Sequence, residues 1–307
     1  PKIFITGTMR TGGSLLINLL SAHSKILILN ERIGYFRFMN KRYSPLNNQN
    51  IDLLLNDLKL RLKYRKNIQI DPNIIKEDIL KYEINYKNIY SSLLNYFLKF
   101  SKTEILGEYS ALQWRDIPEY INFFDEAKVI HMYRDPRAVL SSWKKLSSLP
   151  NNSYLNCIFN WIDSTNYLLK FTNTYLTNLY MPFKYEDIMK NPEKKISSLT
   201  KFLGVKNERI LQQPSFWYKK FDPKLVNIPR SAHEGSNIIG FSTKRINNWK
   251  NNLEEWEIAL VEHLCSDNMK ILGYKKIINT NKLSKNIELG LKKISKNNFL
   301  KNSYKTF

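Results

Sequence analysis

The sequence predicts an α/β fold: a mostly parallel central β-sheet of the kind that carries a phosphate-binding loop, flanked by helices. Two observations lead to this prediction. Short apolar runs alternate with longer amphipathic segments along the 307 residues, and such alternation is typical of parallel strands joined by helical crossovers. The first apolar run also ends in a glycine-bearing turn that leads directly into a helical pattern. Strand, glycine-rich turn and helix, in that order, are the context that a phosphate-binding loop needs, although a tight turn without a ligand has the same pattern.

Local patterns predict the individual elements. Apolar runs predict strands over residues 2–6, 25–30, 104–109, 128–134 and 180–187. Helical periodicity predicts helices over residues 14–23, 137–146 and 191–205, together with a mostly helical segment over 40–102. The later two single helices have proline near their first turn, where its missing N–H is tolerated.

We expect one α/β domain over residues 1–278. Within it, the helical stretch 35–105 is interpreted as an insertion that shapes an acceptor pocket, because the motifs discussed below lie outside it. Residues 279–307 are predicted to form a basic amphipathic helix or tail. Such a helix either packs on its own domain, which we favour, or makes a peripheral contact with a membrane surface.

Composition narrows the class of protein only in part. A net charge of +21 favours an anionic partner, but the chain is also rich in Asn, Ile and Tyr, as AT-rich genomes favour, so charge alone decides little. No interleaved basic and aromatic groove pattern is present, so no specific nucleic-acid partner is expected. Cys157 and Cys265 lie far apart and predict buried thiols. Without a long apolar run or a signal-peptide pattern, a cytoplasmic protein is expected.

The stretch GTMRTGGS near the amino terminus fits the pattern G-x-x-x-x-G-K-[ST] at all but one place. The lysine position holds Gly13, and the positive charge has moved to Arg10. The amides of Gly12 and Gly13 at a helix N-terminus form an anion cradle, to which Thr11 and Ser14 add hydroxyls. Nucleoside-triphosphate chemistry also needs the loop lysine and a magnesium-binding carboxylate. The loop therefore predicts anion binding and disfavours a triphosphate enzyme.

A second anion-binding pattern lies in the stretch KVIHMYRDPRAVLSS. It places Arg134 at the end of a predicted strand and Ser142 in the helix that follows. Ligands of α/β sheets bind outside the carboxyl ends of the strands, and the planar guanidinium fork suits a phosphate. Two separated anion sites on one sheet indicate a nucleotide with phosphates at both ends.

Together, these motifs resemble those of sulfotransferases that use 3′-phosphoadenosine 5′-phosphosulfate. The loop resembles the family pattern P-[KR]-[ST]-G-[TS]-[TS]-L, and YRDPRAVLSSW resembles R-D-P-R-x-x-x-x-S. FKYEDIMKNPEKKISSLTKFLGV resembles the family's Tyr-Glu-Asp strand and the helix after it, while NNWKNNL and MKILGY resemble the closing segment. The match covers roughly residues 2–275 in the family order, and the arginine form of the loop is most similar to tyrosylprotein and bacterial sulfotransferases.

The resemblance implies in-line transfer of a sulfonate group to an acceptor hydroxyl, with adenosine 3′,5′-bisphosphate as product and without a metal. Arg10, Thr11, Ser14 and the loop amides would stabilise charge at the 5′ end. Arg134 and Ser142 would hold the 3′-phosphate.

The resemblance also assigns the remaining site residues. Glu31 matches the general base of the tyrosylprotein branch, and Glu108 is the second candidate. Tyr185 resembles the tyrosine near the nucleotide, and Ser236 lies in a segment that resembles the lid over the 3′-phosphate. Trp249 either stacks on adenine or packs in the core.

Three histidines are weaker candidates. His131 is expected to face the core, His23 to be structural, and His233, in a polar loop, is a third choice for the base.

Two positions depart from the family pattern. Gly13 replaces a Thr or Ser of the loop, and Tyr109 replaces a lysine commonly aimed at the substrate or sulfonate. Arg115 is a candidate to compensate for that lysine. These departures bear on rate and acceptor more than on cofactor.

Two other functions stay open from the residues alone. One is a small-molecule kinase whose loop lysine is displaced, and the other is a non-catalytic basic protein that binds nucleic acid or glycan. For the sulfotransferase, the acceptor is a glycan, a peptide tyrosine, a lipid-linked sugar or a small alcohol. The positive charge favours an acidic one.

Overall fold

The computed structural model describes residues 2–101, 103–145, 154–175, 177–217, 240–278, 285–290 and 292. Its centre is a five-stranded sheet in the order β2-β3-β1-β4-β5, and every pair of neighbouring strands is parallel. The strands are β1 Lys2–Gly7, β2 Ile26–Asn30, β3 Ile105–Tyr109, β4 Ala127–Tyr133 and β5 Tyr180–Lys184. The prediction of a parallel α/β sheet is confirmed.

Helices connect and cover these strands. Those before β4 are α1 Gly13–Ala22, α2 Tyr35–Phe38, α3 Asn48–Lys66, α4 Pro72–Ile79, α5 Tyr86–Phe100 and α6 Ile117–Phe123. Those after it are α7 Pro136–Trp143, α8 Tyr154–Thr174, α9 Tyr185–Lys190, α10 Pro192–Leu203, α11 Lys244–Asn247, α12 Trp249–Asn252, α13 Glu255–Leu264 and α14 Ser266–Ile271.

The core lies on both faces of the sheet, because alternate residues of a strand point to opposite sides. Phe4 of β1 packs with helices α2 to α6. Its neighbours Ile3 and Ile5 pack with α1 and α10 on the other face. A third cluster joins α7 and α8 to α12 and α13, and it contains both cysteines, which are free and buried as predicted.

The helical segment predicted over 40–102 is three separate helices. Their starts coincide with side-chain caps: Asn47, Asp71 and Asn85 each accept a hydrogen bond from a backbone N–H of the first turn. Asn and Asp are favoured at this position because they satisfy an amide that the helix leaves open.

The prediction of a strand over 180–187 is wrong at its end. The strand stops at Lys184 and helix α9 begins at Tyr185, with Glu186 and Asp187 in its first turn. Carboxylates are favoured there because they interact with the positive end of the helix dipole.

The carboxyl-terminal tail is described only in part. Residues 285–290 are helical, and Gly290 lies against Trp256 of α13, whose Cε3 atom is 2.8 Å from where a Cβ on that glycine would stand. The boundaries 1–278, 35–105 and 279–307 stay predictions.

Candidate functional site

The carboxyl ends of all five strands meet at one edge of the sheet, because all five are parallel. The connection from β1 runs to one side of the sheet and that from β4 runs to the other. Adjacent strands whose connections diverge in this way open a crevice, where open α/β sheets bind ligands. The loop after β1 and the start of α7 after β4 line this crevice.

The loop after β1 has the backbone that an anion cradle requires. Arg10 and Gly12 both have left-handed backbone angles, with φ of 70° and 104°. The buried hydroxyl of Thr11 donates to the Thr8 carbonyl at 2.7 Å, which pins the turn from within. Helix α1 follows without a side-chain cap, and Ser14 in its first turn is exposed. The uncapped helix N-terminus therefore faces the crevice with its amides available to an anion.

Aromatic rings occupy the space beside both glycines of the loop. A Cβ on Gly12 would stand 2.5 Å from Cδ2 of Tyr185, and one on Gly13 would stand 2.4 Å from Cε2 and 2.6 Å from the hydroxyl oxygen of Tyr109. Any residue with a side chain at either position would therefore clash with these rings unless the rings moved. The departure at residue 13 and the departure at residue 109 are in direct contact.

The two predicted anion-binding sets meet in this crevice. Nε of Arg10 donates to Oγ of Ser142 at 2.8 Å, and Nη1 of Arg134 donates to the Arg10 carbonyl at 3.3 Å. Arg134 also donates to the Arg245 carbonyl at 2.9 Å, and its guanidinium lies 4.1 Å from the ring centre of Tyr185. In this conformation the Arg10 side chain reaches across to α7 and contacts the second set, and the assignment of the two sets to opposite ends of a nucleotide stays a prediction.

Two neighbouring guanidinium groups make the crevice strongly electropositive. Burial lowers the pKa of Arg10, and the charge of Arg134 lowers it further. Nε of Arg134 is buried and has no hydrogen-bond partner among the described residues. An anion placed here would offset the repulsion and accept the unused donor, and planar guanidinium groups suit phosphate.

Buried hydrogen bonds fix the start of α7. The Asp135 N–H donates to Glu186 at 2.9 Å, and the Tyr274 hydroxyl donates to the other oxygen of Glu186 at 3.0 Å. Burial raises the pKa of Glu186, while the Asp135 N–H acts in the opposite direction. Glu186 of the Tyr-Glu-Asp segment thus fixes the backbone of Asp135 and thereby positions the adjacent Arg134.

The second arginine of the R-D-P-R motif has a structural role. Arg137 pairs with Asp135 at 2.7 Å and with Glu262 at 2.5 Å, and all three residues are buried. Its guanidinium also lies 4.1 Å from the ring centre of Trp249. Trp249 is therefore packed in the core in this structure. Of the two roles considered from the sequence, stacking on adenine and packing in the core, the structure shows packing.

Glu31 follows β2 and faces the same edge of the sheet. It has a left-handed backbone, with φ of 49°, which is unusual for a residue with a side chain. Its Oε1 accepts the Ala111 N–H at 3.0 Å, and Nη1 of Arg37 lies 3.8 Å from the same oxygen. Nη2 of Arg37 donates to the Ala111 carbonyl at 2.6 Å. One carboxylate oxygen is thus held in place, and the carboxyl group is half-buried.

Glu108 has a different environment, although it was the second candidate for the base. It is 1% exposed, and it accepts the Gly34 N–H at 2.5 Å and the Tyr90 hydroxyl at 3.2 Å. Burial raises its pKa to about 7. Both oxygens are used inside the protein, so Glu108 fixes the turn after Glu31 and does not face an acceptor.

The remaining candidates do not enter the crevice, or lie outside the described residues. His131 is buried between the hydroxyls of Tyr180 and Ser164, and burial lowers its pKa to about 3. His23 bonds the Lys206 carbonyl. Both histidines are structural, as predicted. Ser236 and His233 lie outside the described residues.

Arg115 does not replace the family lysine. It forms a two-point ion pair with Asp163, with distances of 3.1 and 2.9 Å, and its side chain is 68% exposed.

Arg37 is a site residue that the sequence analysis missed. It precedes the long helices in a stretch with no motif, and only its closeness to Glu31 along the chain was a signal. A cation placed six residues after a candidate base is a weak pattern, because surface ion pairs produce it too.

The family is shown by comparison with known proteins. A model described as the sulfotransferase family matches residues 1–209, which is more than half of the chain. This chain belongs to the sulfotransferase family, and the prediction of an enzyme of that class is confirmed.

The first two of the following solved structures show the same fold. The sulfotransferase domain of the Synechococcus PCC 7002 olefin synthase aligns with a TM-score of 0.56 and 20% identity, over 90% of this chain and 95% of its own. The sulfotransferase domain of the curacin biosynthetic pathway gives a TM-score of 0.52 and 18% identity, over 90% and 98%. Mouse sulfotransferase SULT7A1, complexed with PAP, gives 0.48 and 13%, over 94% and 88%.

None of the helices in the described ranges has the length and apolar character needed to span a membrane.

Proposed function

We propose that this chain transfers a sulfonate group from 3′-phosphoadenosine 5′-phosphosulfate to a hydroxyl group of an acceptor. The observation that carries the proposal is the meeting of Arg10, Arg134 and Ser142 in the crevice between β1 and β4. Membership of the sulfotransferase family supports sulfonate transfer over phosphate transfer.

The residues of the crevice fit a nucleotide with phosphates at both ends. The uncapped start of α1 offers amides for one phosphate. The unused Nε of Arg134 and the Ser142 hydroxyl offer donors for another. Two arginines that repel each other in the free protein are stabilised by an anion between or beside them.

When bound, the nucleotide supplies an activated sulfonate and leaves as adenosine 3′,5′-bisphosphate. The protein's own contribution is positioning and charge stabilisation. The loop amides and Arg10 hold the 5′ end and stabilise the negative charge that develops on it, typically worth about 10²–10³ in rate per donor. Arg134 and Ser142 hold the 3′-phosphate and select this nucleotide over one without it.

Glu31 accepts the proton of the acceptor hydroxyl in this scheme. Its Oε1 is fixed by the Ala111 N–H. Among the described residues, none donates a hydrogen bond to its Oε2. An oriented carboxylate with one free oxygen suits a general base. Nη1 of Arg37 lies 3.8 Å from the same Oε1 and leaves Oε2 open.

The acceptor is proposed to enter on the Glu31 side of the crevice. The turn after β2 and helix α2 border that side, and Glu108, Gly34 and Tyr90 hold them in position. A glycan, a peptide tyrosine and a small alcohol each present the hydroxyl that Glu31 requires.

A thermal-shift titration followed by a transfer assay tests the function. Adenosine 3′,5′-bisphosphate without magnesium should raise the Tm of the protein, because a ligand that binds only the folded state stabilises it. ATP with magnesium should do so much less. Labelled sulfonate should then move from the donor to members of an acceptor panel. A protein stabilised by ATP and magnesium but not by the bisphosphate would contradict the proposal.

A further inference from the structure

Tyr109 ends β3 beside the loop after β1. Ile5 of β1 pairs with it in the sheet, and its carbonyl accepts the Glu31 N–H at 2.9 Å. Its side chain is 9% exposed and belongs to the same packed cluster as Leu16 of α1. Its backbone is thus fixed to Glu31 while its ring lies against the loop.

The hydroxyl of Tyr109 takes the place of a side chain at residue 13. Its oxygen lies 2.6 Å from where a Cβ on Gly13 would be, and Cζ lies 2.4 Å from the same point. A serine or threonine at residue 13 would carry its hydroxyl on that Cβ, at the first position of α1. The phenol oxygen therefore lies close to the space that a loop hydroxyl at residue 13 would occupy.

This hydroxyl is a free donor in the described structure. The hydrogen bonds among the described residues include none from the phenol oxygen of Tyr109. The phenol oxygen is not among the fully buried, unpartnered side-chain atoms of the described residues, so it retains access to a ligand. Burial raises the pKa of Tyr109, the charge of Glu31 raises it further, and Arg10 opposes both. The phenol therefore keeps its proton at neutral pH.

We propose that the Tyr109 hydroxyl is the anion donor of the loop that Gly13 lacks, and that it donates to the 5′-phosphate of the bound nucleotide. The inference rests on the proposed function and deepens it, since it names a nucleotide-binding residue of the same site. Glycine at residue 13 and tyrosine at residue 109 form one unit, because the ring needs the space that the glycine leaves.

Binding measurements on two ligands test the hydroxyl. Tyr109→Phe keeps the ring and removes only the donor. Its affinity for adenosine 3′,5′-bisphosphate should fall about 10-fold to 100-fold, the range for a hydrogen bond to a charged group. Its affinity for adenosine 3′-monophosphate, which has no 5′-phosphate, should stay within about two-fold of the wild type. Tyr96→Phe is the matched control: Tyr96 is also buried, at 7% exposed, and its hydroxyl accepts the Asp71 N–H away from the site.

A double-mutant cycle on Gly13 and Tyr109 tests whether the tyrosine ring and a side chain at residue 13 compete for the same space. Gly13→Ser alone should weaken bisphosphate binding, because its Cβ would overlap the Tyr109 ring. In a Tyr109→Ala background the same serine should strengthen binding at least about 10-fold, because the ring is gone and a hydroxyl returns. The serine should thus weaken bisphosphate binding in the wild-type background and strengthen it in the Tyr109→Ala background. A purely structural contact is not expected to reverse the effect on binding in this way.

Each outcome is decisive. If the wild type binds the bisphosphate and Tyr109→Phe binds it equally well, the assignment of Tyr109 is wrong and the proposed function stands. Equal losses for both ligands would also overturn it, since they would indicate a general packing defect. If the wild type binds neither nucleotide, both proposals fail.

Discussion

Arg10 donates a hydrogen bond to Ser142 across 132 residues of sequence, at 2.8 Å. This bond joins the loop after β1 to helix α7 after β4, the two walls of the crevice. Both residues were predicted to bind phosphate, but at opposite ends of a nucleotide. If Arg10 binds the 5′ end as proposed, its side chain must leave Ser142 when a nucleotide enters.

Ser142→Ala should weaken binding of adenosine 3′,5′-bisphosphate by about 3-fold to 10-fold. One neutral donor to a phosphate is lost, a typical contribution of about 1 kcal/mol. Calorimetric titration measures the effect. Ser141→Ala, on the neighbouring serine of the same helix, is the matched control and should bind normally; equal affinity of both variants would remove Ser142 from the phosphate site.

Arg134→Lys should weaken the same binding by about 10²-fold although the charge is kept. Lysine cannot reproduce the planar fork, the stacking on Tyr185 or the two backbone hydrogen bonds. The comparison with adenosine 5′-monophosphate checks the assignment, because a ligand without a 3′-phosphate should lose much less. Arg115→Lys, on the exposed arginine that pairs with Asp163, should leave both affinities unchanged. An Arg134→Lys protein with wild-type affinity would contradict the 3′-phosphate assignment.

Glu31→Gln should lower kcat by about 10²–10⁴ while bisphosphate affinity changes little. The amide keeps the size of the side chain and the acceptor for the Ala111 N–H but cannot take a proton. Steady-state kinetics and calorimetry on the same protein separate the two effects. Near-normal kcat would exclude Glu31 as the base. Glu104→Gln, on a carboxylate that forms an exposed ion pair with Lys25, serves as the control.

Glu108 should make the protein less stable as pH rises. Its pKa is raised to about 7 in the folded state by burial, and its ordinary value is 4.5. Between these two values the folded state binds more protons than the unfolded state, so the free energy of unfolding falls as pH increases. The full difference is of the order of 3 kcal/mol.

Glu108→Gln should remove this pH dependence. The variant should gain Tm relative to the wild type at pH 8 and not at pH 4.5, as measured by thermal unfolding at both values. Tyr90, Tyr120, Arg61 and Glu31 surround the carboxyl group and stay unchanged. An equal shift in Tm at both pH values would show that the carboxyl group does not titrate in this window.

Arg137→Met should destabilise the fold by about 3–5 kcal/mol. It would leave Asp135 and Glu262 buried without their cation, and an unpaired buried charge is costly. Urea unfolding gives the free energy of unfolding. Arg115→Met removes an exposed pair and should cost about 1 kcal/mol or less. Similar losses in the two variants would contradict the structural role of Arg137.

The sequence predicted most of the strands and helices well, because these depend on local pattern. Arg134 was placed correctly because a residue that follows a buried parallel strand reaches the ligand edge whatever the rest of the fold does. The helix starts at Asn47 and Asp71 also carried local signals, which a closer reading of capping residues would have found.

Contacts between distant segments could not be predicted in the same way. Gly13 and Tyr109 were each recognised as departures, but their contact depends on the pairing of β1 with β3. The reach of Arg10 to Ser142 depends on a side-chain conformation. Arg37 lies in no recognised motif. Its partner, Glu31, was itself only a candidate, so the pair could not be expected from the sequence.

The central strand also determines when this protein can fold. β1 pairs with β3 and β4 but not with β2, so its two edges are covered only after β4 has been synthesised. A nascent chain that ends before β4 leaves the edge of β1 that faces β4 with unpaired backbone N–H and C=O groups, and open edges of this kind invite pairing between chains. Non-local parallel pairing is slow to form. β1 therefore stays incompletely paired until β4 has been synthesised, and chains truncated before β4 should aggregate through its open edge.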